Sequence, residues 1–494
     1  MSSLPDSAND GSRSAATWIL MPAVVMSLGW GLRGYIGGGP FGAMIPGSLV
    51  ALLLCQYLNY TARTAAVVVA FSALGIGFGG EMTYGQTLGL LRERDTLLWG
   101  LTGATLKGAV WGLLGGAVLG LGFIARQLAW RHLILALLCL LVGVMAGIHF
   151  INQPKLIYFS DPLNRPRDES WAGFLFGALG LLAYLHAFQP RLATIASRFA
   201  LYGMIGGAIG FGGGSLLLAL QFQVPQSWRW LPYWKFMEFT FGFVFGAALG
   251  ACALSLRERL VQLGIEVSTA AARRSSAETA AVAKHSRFLW MSESTAVGAL
   301  VLLAVFFGWQ GLARSIYNVL GDVPEHDPRQ TATRVLLGFT GLGCVLMLVS
   351  RRWPTVAWQV SICVTIVAAA IDWQRDLLPH GGIDMPIAYR RLFVTGMASI
   401  SILFVSIWQS GRRPKLATLF LFATSILMGI GYMMGLASED LWWPTAGDEA
   451  AAGGTAAYLW INFRSEIVVH LIFTTLFTIS LAVVWGGQLP SSRR

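Results

Sequence analysis

The sequence predicts an all-α polytopic membrane protein of about 14 transmembrane helices, whose N-terminal half is a glycine-rich parallel repeat of four plus four helices. Of the 494 residues, 55% are hydrophobic and only 12% are charged. Soluble domains carry roughly 25% charged residues, because a surface that faces water must be polar. Long apolar runs and two recurring glycine motifs complete the case, so we expect lipid to be the main solvent of this chain.

Apolar runs locate the predicted spans, since crossing a bilayer takes about 20 mostly apolar residues. Before residue 257 the runs occupy 17–36, 40–58, 65–91, 96–125, 132–150, 170–187, 199–221 and 233–256. Beyond residue 289 they occupy 290–313, 333–350, 355–372, 391–408, 416–435 and 465–486. The predicted domains are a cytoplasmic tail (1–16), a duplicated bundle (17–125 with 132–256), a charged cytoplasmic linker (257–289) and a C-terminal bundle (290–494).

The net charge of +11 is explained by membrane orientation rather than by a nucleic-acid partner. Basic residues concentrate in alternate loops, and short loops rich in lysine and arginine remain in the cytoplasm. The predicted cytoplasmic segments contain Arg63, Arg126, Arg131, Arg191, Arg198, the linker, Arg351, Arg352, Arg412, Arg413, Arg493 and Arg494. Both termini are therefore predicted to be cytoplasmic, in a cytoplasmic (inner) membrane. Loop 151–169 is charge-neutral and does not bear on orientation.

Two glycine motifs predict an internal duplication of the first half. The segment Ile76–Gly80 recurs unchanged at Ile209–Gly213, 133 positions later. The pattern GxxxGAxxG that begins at Gly112 recurs from Gly242, 130 positions later. Two matches in the same order and at nearly the same offset indicate parallel copies, related by an axis along the membrane normal. Generic close packing of helices through small residues is the alternative explanation.

Glu81 and Lys107 are the clearest predicted pair of ionisable groups inside the membrane. They fall on consecutive spans joined by a tight outer loop, both roughly 15 Å below the outer surface if the spans are helical, so they can pair. Charges at that depth are costly unless paired or hydrated, and therefore indicate function. Thr83, Tyr84 and Gln86 add hydrogen-bonding groups nearby, which favours a proton- or ion-coupled site. The alternative is a structural ion pair that fixes the helix register.

The predicted second copy carries different charges from the first. Gly214 stands where the first copy has Glu81, and an acid occurs instead as Glu238. Lys235 and Glu238 are three positions apart and are expected to share a helix face. Snorkelling toward the interface is the alternative role of Lys235. Glu238 lies a turn deeper, and we expect it to belong to an asymmetric binding or coupling site on a pseudo-symmetric scaffold.

Arg33 begins a glycine run, RGYIGGGP, at the predicted outer end of the first span. Non-helical backbone at membrane depth occurs only where protein or a water-filled cavity surrounds it. Free backbone N–H groups beside a guanidinium suit an anion, which makes Arg33 a candidate substrate-binding residue. A tight outer turn with an interfacial arginine is the alternative. The run matches neither a P-loop nor a dinucleotide-binding fingerprint.

A second candidate site falls in the C-terminal half. Asp372 and Asp376 are one turn apart at a predicted outer helix end, and His380 follows shortly after them. Carboxylates and imidazoles serve as general acids and bases, and these would suit an integral-membrane transferase acting on a lipid-linked or envelope substrate at the extracytoplasmic face. Solvated loop charges are the alternative. The five cysteines lack metal-ligand spacing, and no metal site is predicted.

A multi-pass transporter or permease for a small polar or anionic solute is the favoured function, ahead of an enzyme. Arg33 and Lys107 would face the charge of the solute, and Glu81 would be the coupling acid. Expected partners are the lipid bilayer, the solute, and an oligomeric or partner subunit, with no nucleic acid. The sequence specifies neither a cofactor nor the identity of the solute. The transferase and a structural subunit of a larger complex remain alternatives.

Overall fold

The structure is a computed structural model, and every regular element it describes is helical. It describes residues 13–35, 39–82, 84–160, 168–265, 339–353, 356–357, 360–361, 453–454, 457, 468–469, 471–480 and 482. The helices are α1 (Ala15–Tyr35), α2 (Gly39–Tyr57), α3 (Ala62–Gly79), α4 (Gly85–Gly89), α5 (Arg94–Ile124), α6 (Trp130–Gly147), α7 (Trp171–Phe188), α8 (Pro190–Gln223), α9 (Tyr233–Ser255), α10 (Phe339–Arg352) and α11 (Leu471–Ser480). Within these residues there is no strand, which confirms the all-α prediction.

Six of the helices are long and apolar enough to cross a membrane, judged by length and composition. They are α1, α5, α6 with the π-helical turn that follows it (Ile148–Asn152), α7, α8 and α9. Apolar helices of this length indicate a bilayer as their surroundings, and the chain is accordingly a membrane protein. Each of the eight apolar runs predicted before residue 257 overlaps a helix, and the run 65–91 overlaps both α3 and α4.

The third predicted span, 65–91, is the one whose extent differs most from prediction. Helix α3 ends at Gly79, and Gly80 closes it by donating its N–H to the carbonyl oxygens of Gly77 and Phe78. A Cβ at Gly80 would lie 2.5 Å from the carbonyl oxygen of Gly39, so the start of α2 lies directly against this helix end. Residues 81–93 consequently form turns and the short α4 rather than a continuation of the span.

Helix α5 lies at the centre of the bundle, and its glycines let α8 approach closely. Its apolar stretch is 94% buried, compared with 33% for that of α6, so much of α6 lies on the outside of the bundle. A Cβ at Gly108 or Gly112 would clash with the carbonyl oxygen of Gly207 or Gly203, respectively. Since the numbers rise along α5 as they fall along α8, the two helices are antiparallel and in backbone contact.

The recurring glycine motifs occupy unlike surroundings in the two predicted copies. The first IGFGG segment ends α3, whereas the second lies inside α8, which continues to Gln223. Gly112 on α5 meets α8, but Gly242 on α9 meets α1, where a Cβ would lie 2.6 Å from the carbonyl oxygen of Met26. Close helix packing accounts for both GxxxGAxxG motifs locally, and the duplication stays a prediction.

Several loops that are predicted to be cytoplasmic meet at one end of the bundle. The Tyr60 hydroxyl, between α2 and α3, donates to the carbonyl oxygen of Leu260 at 2.5 Å. Arg259 donates through Nη1 to Thr194 Oγ1 at 2.6 Å. Burial raises the pKa of the Tyr60 phenol, so this residue remains a protonated donor at neutral pH. The segments around residues 60, 194 and 260 therefore share one end, as the alternation of charge predicts.

Helix α10, from the C-terminal half, packs on the same end of the first half. The Arg351 guanidinium donates to the carbonyl oxygen of Leu128 and lies 4.3 Å from the Trp130 ring centroid. Further along, the rings of Phe339 and Phe78 make an edge contact at 5.8 Å between centroids. These contacts place the predicted cytoplasmic loops 126–131 and 351–352 next to each other.

The predicted outer loops meet at the opposite end. Arg92, between α4 and α5, lies 5.8 Å from the centroid of the Phe222 ring at the end of α8. Trp99 donates its indole N–H to the carbonyl oxygen of Tyr158 at 3.0 Å, which ties the loop after α6 to α5. The charged side chains discussed next lie toward this end of the helices.

Candidate functional site

Arg33 lies in the last turn of α1, and its side chain is enclosed by the bundle, only 2% exposed. Its Cζ lies 5.1, 5.2 and 5.3 Å from the ring centroids of Trp30, Tyr84 and Trp111. Rings at this distance attract a cation through their negative faces. A Cβ at Gly42 would lie 2.9 Å from Arg33 Cγ, so α2 covers the arginine stem. The guanidinium is therefore enclosed by protein rather than exposed on the surface of the bundle.

The rings around Arg33 belong to an aromatic cluster, defined here as Trp30, Tyr84, Trp111, Phe211 and Phe241. Its centroid distances include 4.5 Å between Trp30 and Phe241, 5.1 Å between Phe211 and Phe241, and 5.4 Å between Tyr84 and Phe211. The indole N–H of Trp111 donates to the carbonyl oxygen of Ile76 at 2.8 Å, which fixes that ring. Helices α1, α5, α8 and α9, together with the segment before α4, thus contribute the rings of this cluster.

The charge of Arg33 is not neutralised by a carboxylate within the described residues, whose two ion pairs involve other lysines and acids. Its Nη1 donates to the Tyr84 hydroxyl at 2.5 Å. Its Nε is buried and forms no hydrogen bond with any described residue. A buried charge without a counter-ion is costly, and such groups in membrane proteins mark substrate or ion sites by default. This arrangement can bind an anion.

Lys107 on α5 forms a buried ion pair with Glu169, a partner that the sequence analysis did not identify. The Nζ–Oε1 distance is 2.7 Å, and both side chains are 1% exposed. Lys107 also donates to Thr87 Oγ1 at 2.7 Å, while Glu169 accepts from Ser160 Oγ at 3.0 Å and from the N–H of Phe159 at 3.1 Å. The described parts of the charge-neutral loop 151–169 are therefore anchored inside the bundle.

Glu81 was predicted to be the partner of Lys107, and the ion pair of Lys107 with Glu169 corrects that pairing. The depth estimate assumed a helix that continues to Leu91, but α3 ends at Gly79 and Glu81 lies in the turn that follows. The backbone oxygen of Glu81 accepts a hydrogen bond from Ser170 Oγ at 3.4 Å. Glu81 therefore contacts Ser170, which directly follows Glu169 in the chain. The Glu81 side chain is partly exposed.

The α4 segment connects the arginine to the ion pair. Tyr84, directly before α4, accepts the hydrogen bond from Arg33, and Thr87 within α4 accepts one from Lys107. Gln86 lies between them and is partly exposed. The short helix α4 and Tyr84, the residue directly before it, thus link Arg33 to Lys107.

Lys235 and Glu238 share a face of α9, as their spacing predicts. Lys235 Nζ lies 2.9 Å from Glu238 Oε2, and the Trp234 indole donates to the other carboxylate oxygen at 3.2 Å. Lys235 also donates to the carbonyl oxygen of Gly31 at 3.4 Å, two residues before Arg33. This ion pair therefore lies near the same end of α1, and Glu238 already has its counter-ion.

The alternative outer-face site lies outside the described residues, since Asp372, Asp376 and His380 are not among them. Within the part of the chain that the structure describes, no group of three or more His, Cys, Asp or Glu side chains is placed to hold a metal ion. Glu169 could have been suspected from the sequence only by its position, directly before the apolar run 170–187. Nothing in the sequence links it to Lys107, 62 positions away.

Comparison with known proteins yields no relative for this chain. No protein-family model matches it, and neither a curated protein nor a solved structure is significantly similar to it.

Proposed function

We propose that the protein is a multi-pass permease for a small anionic solute, and that Arg33 is its principal anion-binding residue. The observation that carries the proposal is a guanidinium buried at 2% exposure, held by three aromatic rings and without a carboxylate partner in the described residues. Rings hold a cation without neutralising its charge, so the site retains its attraction for an anion. A binding residue that is enclosed by protein on all sides is consistent with an occluded state of an alternating-access transporter.

Ion coupling is part of this proposal, through the segment that joins Arg33 to Lys107. A change in protonation near the ion pair of Lys107 and Glu169 would alter the bond from Lys107 to Thr87, and thereby the position of Tyr84 on Arg33. Glu81, in the adjacent turn, remains the proposed acid that exchanges protons with water because it is partly exposed. Glu238, neutralised by Lys235, has a supporting role.

The proposed setting is a cytoplasmic membrane crossed about 14 times, with both termini inside. The first 256 residues would form the duplicated permease bundle, and residues 290–494, beyond the cytoplasmic linker, would form a second bundle that supports it. Support comes from the six membrane-length helices and from the meeting of predicted cytoplasmic loops at one end. An oligomer or a partner subunit is compatible with this arrangement.

Transport by purified protein in liposomes tests the function. We expect proteoliposomes to take up at least one radiolabelled anion from a panel of acetate, benzoate, chloride and sulfate. The substitution Arg33→Gln should lower that uptake by about tenfold or more, since one charge-assisted contact contributes that much to binding. Glu81→Gln should remove the dependence of uptake on a pH gradient while the site still binds the anion.

Arg92→Gln is the matched control for Arg33→Gln. Arg92 also lies over an aromatic ring, at 5.8 Å from Phe222, but its side chain is exposed. Uptake by Arg92→Gln should equal that of the unaltered protein. If no anion is taken up, or if Arg33→Gln and Arg92→Gln behave alike, the proposed function is wrong.

A further inference from the structure

We infer that the ligand of Arg33 is a monocarboxylate, bound by the free edge of the guanidinium through two parallel hydrogen bonds. The inference rests on the proposed function and narrows it from anions in general to one chemical class. Two observations support it. One is which nitrogen atoms of Arg33 already form hydrogen bonds, and the other is that Arg33 has no carboxylate partner among the described residues.

One edge of the guanidinium forms no hydrogen bond with a described residue. Its N–H groups form a rigid planar fork, in which Nε–H and one N–H of Nη2 point in the same direction. Nη1 is occupied by the Tyr84 hydroxyl. Neither Nε nor Nη2 forms a hydrogen bond with a described residue, and Nε is fully buried. Two donors side by side match the two oxygens of a carboxylate, whereas a spherical ion such as chloride can satisfy only one direction well.

The aromatic rings restrict how a ligand reaches this edge. The faces of Trp30, Tyr84 and Trp111 lie within 5.3 Å of the Arg33 Cζ. Three rings this close, together with the burial of Nε, leave little room around the guanidinium. We expect a monocarboxylate to fit there better than a tetrahedral anion, because its bulk beyond the two oxygens is a single carbon substituent.

The charge balance favours a monovalent ligand. Three basic side chains approach this region of the bundle, and two of them already have acids: Lys107 pairs with Glu169 at 2.7 Å, and Lys235 pairs with Glu238 at 2.9 Å. Arg33 is the one of these three without a carboxylate within ion-pair distance among the described residues. A monocarboxylate would match its single charge, whereas sulfate would bring two negative charges to one guanidinium, which is costly away from water.

Ligand binding to the full-length protein in nanodiscs tests the inference. The probes are acetate, benzoate, chloride, sulfate, and acetamide as the neutral isostere of acetate, each titrated by isothermal calorimetry and by thermal shift. We expect acetate or benzoate to bind at least about tenfold more tightly than chloride or sulfate, and acetamide not to bind, because two charge-assisted bonds are lost without the carboxylate. Arg33→Lys, which keeps the charge but loses the fork, should weaken carboxylate binding about tenfold or more.

Arg92→Lys is the control and should bind as the unaltered protein does. Chloride or sulfate binding as tightly as the carboxylates would overturn the monocarboxylate inference and leave the anion permease standing. Carboxylate binding that is unchanged in Arg33→Lys would likewise overturn the forked geometry. If no anion binds, the inference and the proposed function both fail. The comparison of probes on the unaltered protein decides the matter even if Arg33→Lys does not fold.

Discussion

A lysine ammonium enclosed by helices needs a carboxylate close by, because removing one partner of a buried ion pair leaves an uncompensated charge. Lys107 and Glu169 meet this need with a full set of partners. The ammonium contacts Thr87 as well as the carboxylate, and the carboxylate accepts from Ser160 and from the backbone N–H of Phe159. The ion pair therefore links α5, α4 and the loop before α7 into one unit.

At the scale of single residues, we predict that Glu169→Gln destabilises the folded protein by about 3–5 kcal/mol, as does Lys107→Met, since either change strands a buried charge. The double variant Lys107→Met with Glu169→Gln should be more stable than the sum of the two losses implies. Thermal unfolding and denaturant titration in detergent measure these differences. Lys155→Met, at an exposed lysine of the same loop, is the control and should change stability little. Additive losses in the double variant would mean that the two residues do not act as a pair.

The sequence identified Lys107 but not its partner, and the reason is physical. A lysine inside an apolar run is conspicuous, since the sequence alone shows that a charge would be buried in a membrane-spanning helix. Glu169 follows a neutral loop and is one of several charges there, so only the folding of that loop into the bundle distinguishes it. Arg33 was predicted to be a candidate substrate-binding residue from its glycine neighbours, whereas the rings of Tyr84 and Trp111 that surround it come from segments far along the chain.

At the scale of helices, glycine determines how closely α5 and α8 approach. A Cβ at Gly112 would overlap the carbonyl oxygen of Gly203 on α8, so we predict that Gly112→Ala separates the helices and lowers the unfolding temperature. Gly213→Ala on α8 is the matched control, because a Cβ there meets nothing within 4 Å. That variant should be neutral or more stable by about 0.5–1 kcal/mol, since alanine favours helix. Equal effects of the two changes would contradict close backbone packing at Gly112.

The positions of the helices were easier to predict from the sequence than their ends. Apolar runs located the helices of the first half, since a long apolar run is visible in the sequence whichever helices pack against it. The end of α3 at Gly79 depends on contact between Gly80 and Gly39, which only the folded bundle creates. The same pentapeptide continues as helix in α8, so no local rule could have separated the two cases.

At the scale of the whole molecule, the loops that the arginine distribution assigns to one side of the membrane meet at one end of the helix bundle. Tyr60, Thr194 and Leu260 meet at one end, which also receives the contact between Arg351 and Trp130. Positively charged loops are retained in the cytoplasm during insertion, so this end is expected to face inward. The opposite end carries Arg92 and Phe222 and is expected to face outward.

Single-cysteine labelling tests that orientation in a variant whose own cysteines are replaced by alanine. Glu93→Cys and Gln226→Cys, both at exposed positions of the outer end, should react with a membrane-impermeant maleimide in intact cells. Glu258→Cys, exposed at the other end, should react only in inverted vesicles. Labelling of all three from one side would contradict the helix arrangement itself. The opposite pattern, with Glu258→Cys alone labelled in intact cells, would leave the arrangement intact and reverse the protein in the membrane. Because the Arg33 edge lies toward the end that carries Arg92, the labelling result also determines from which side the proposed carboxylate has the shorter path to its site.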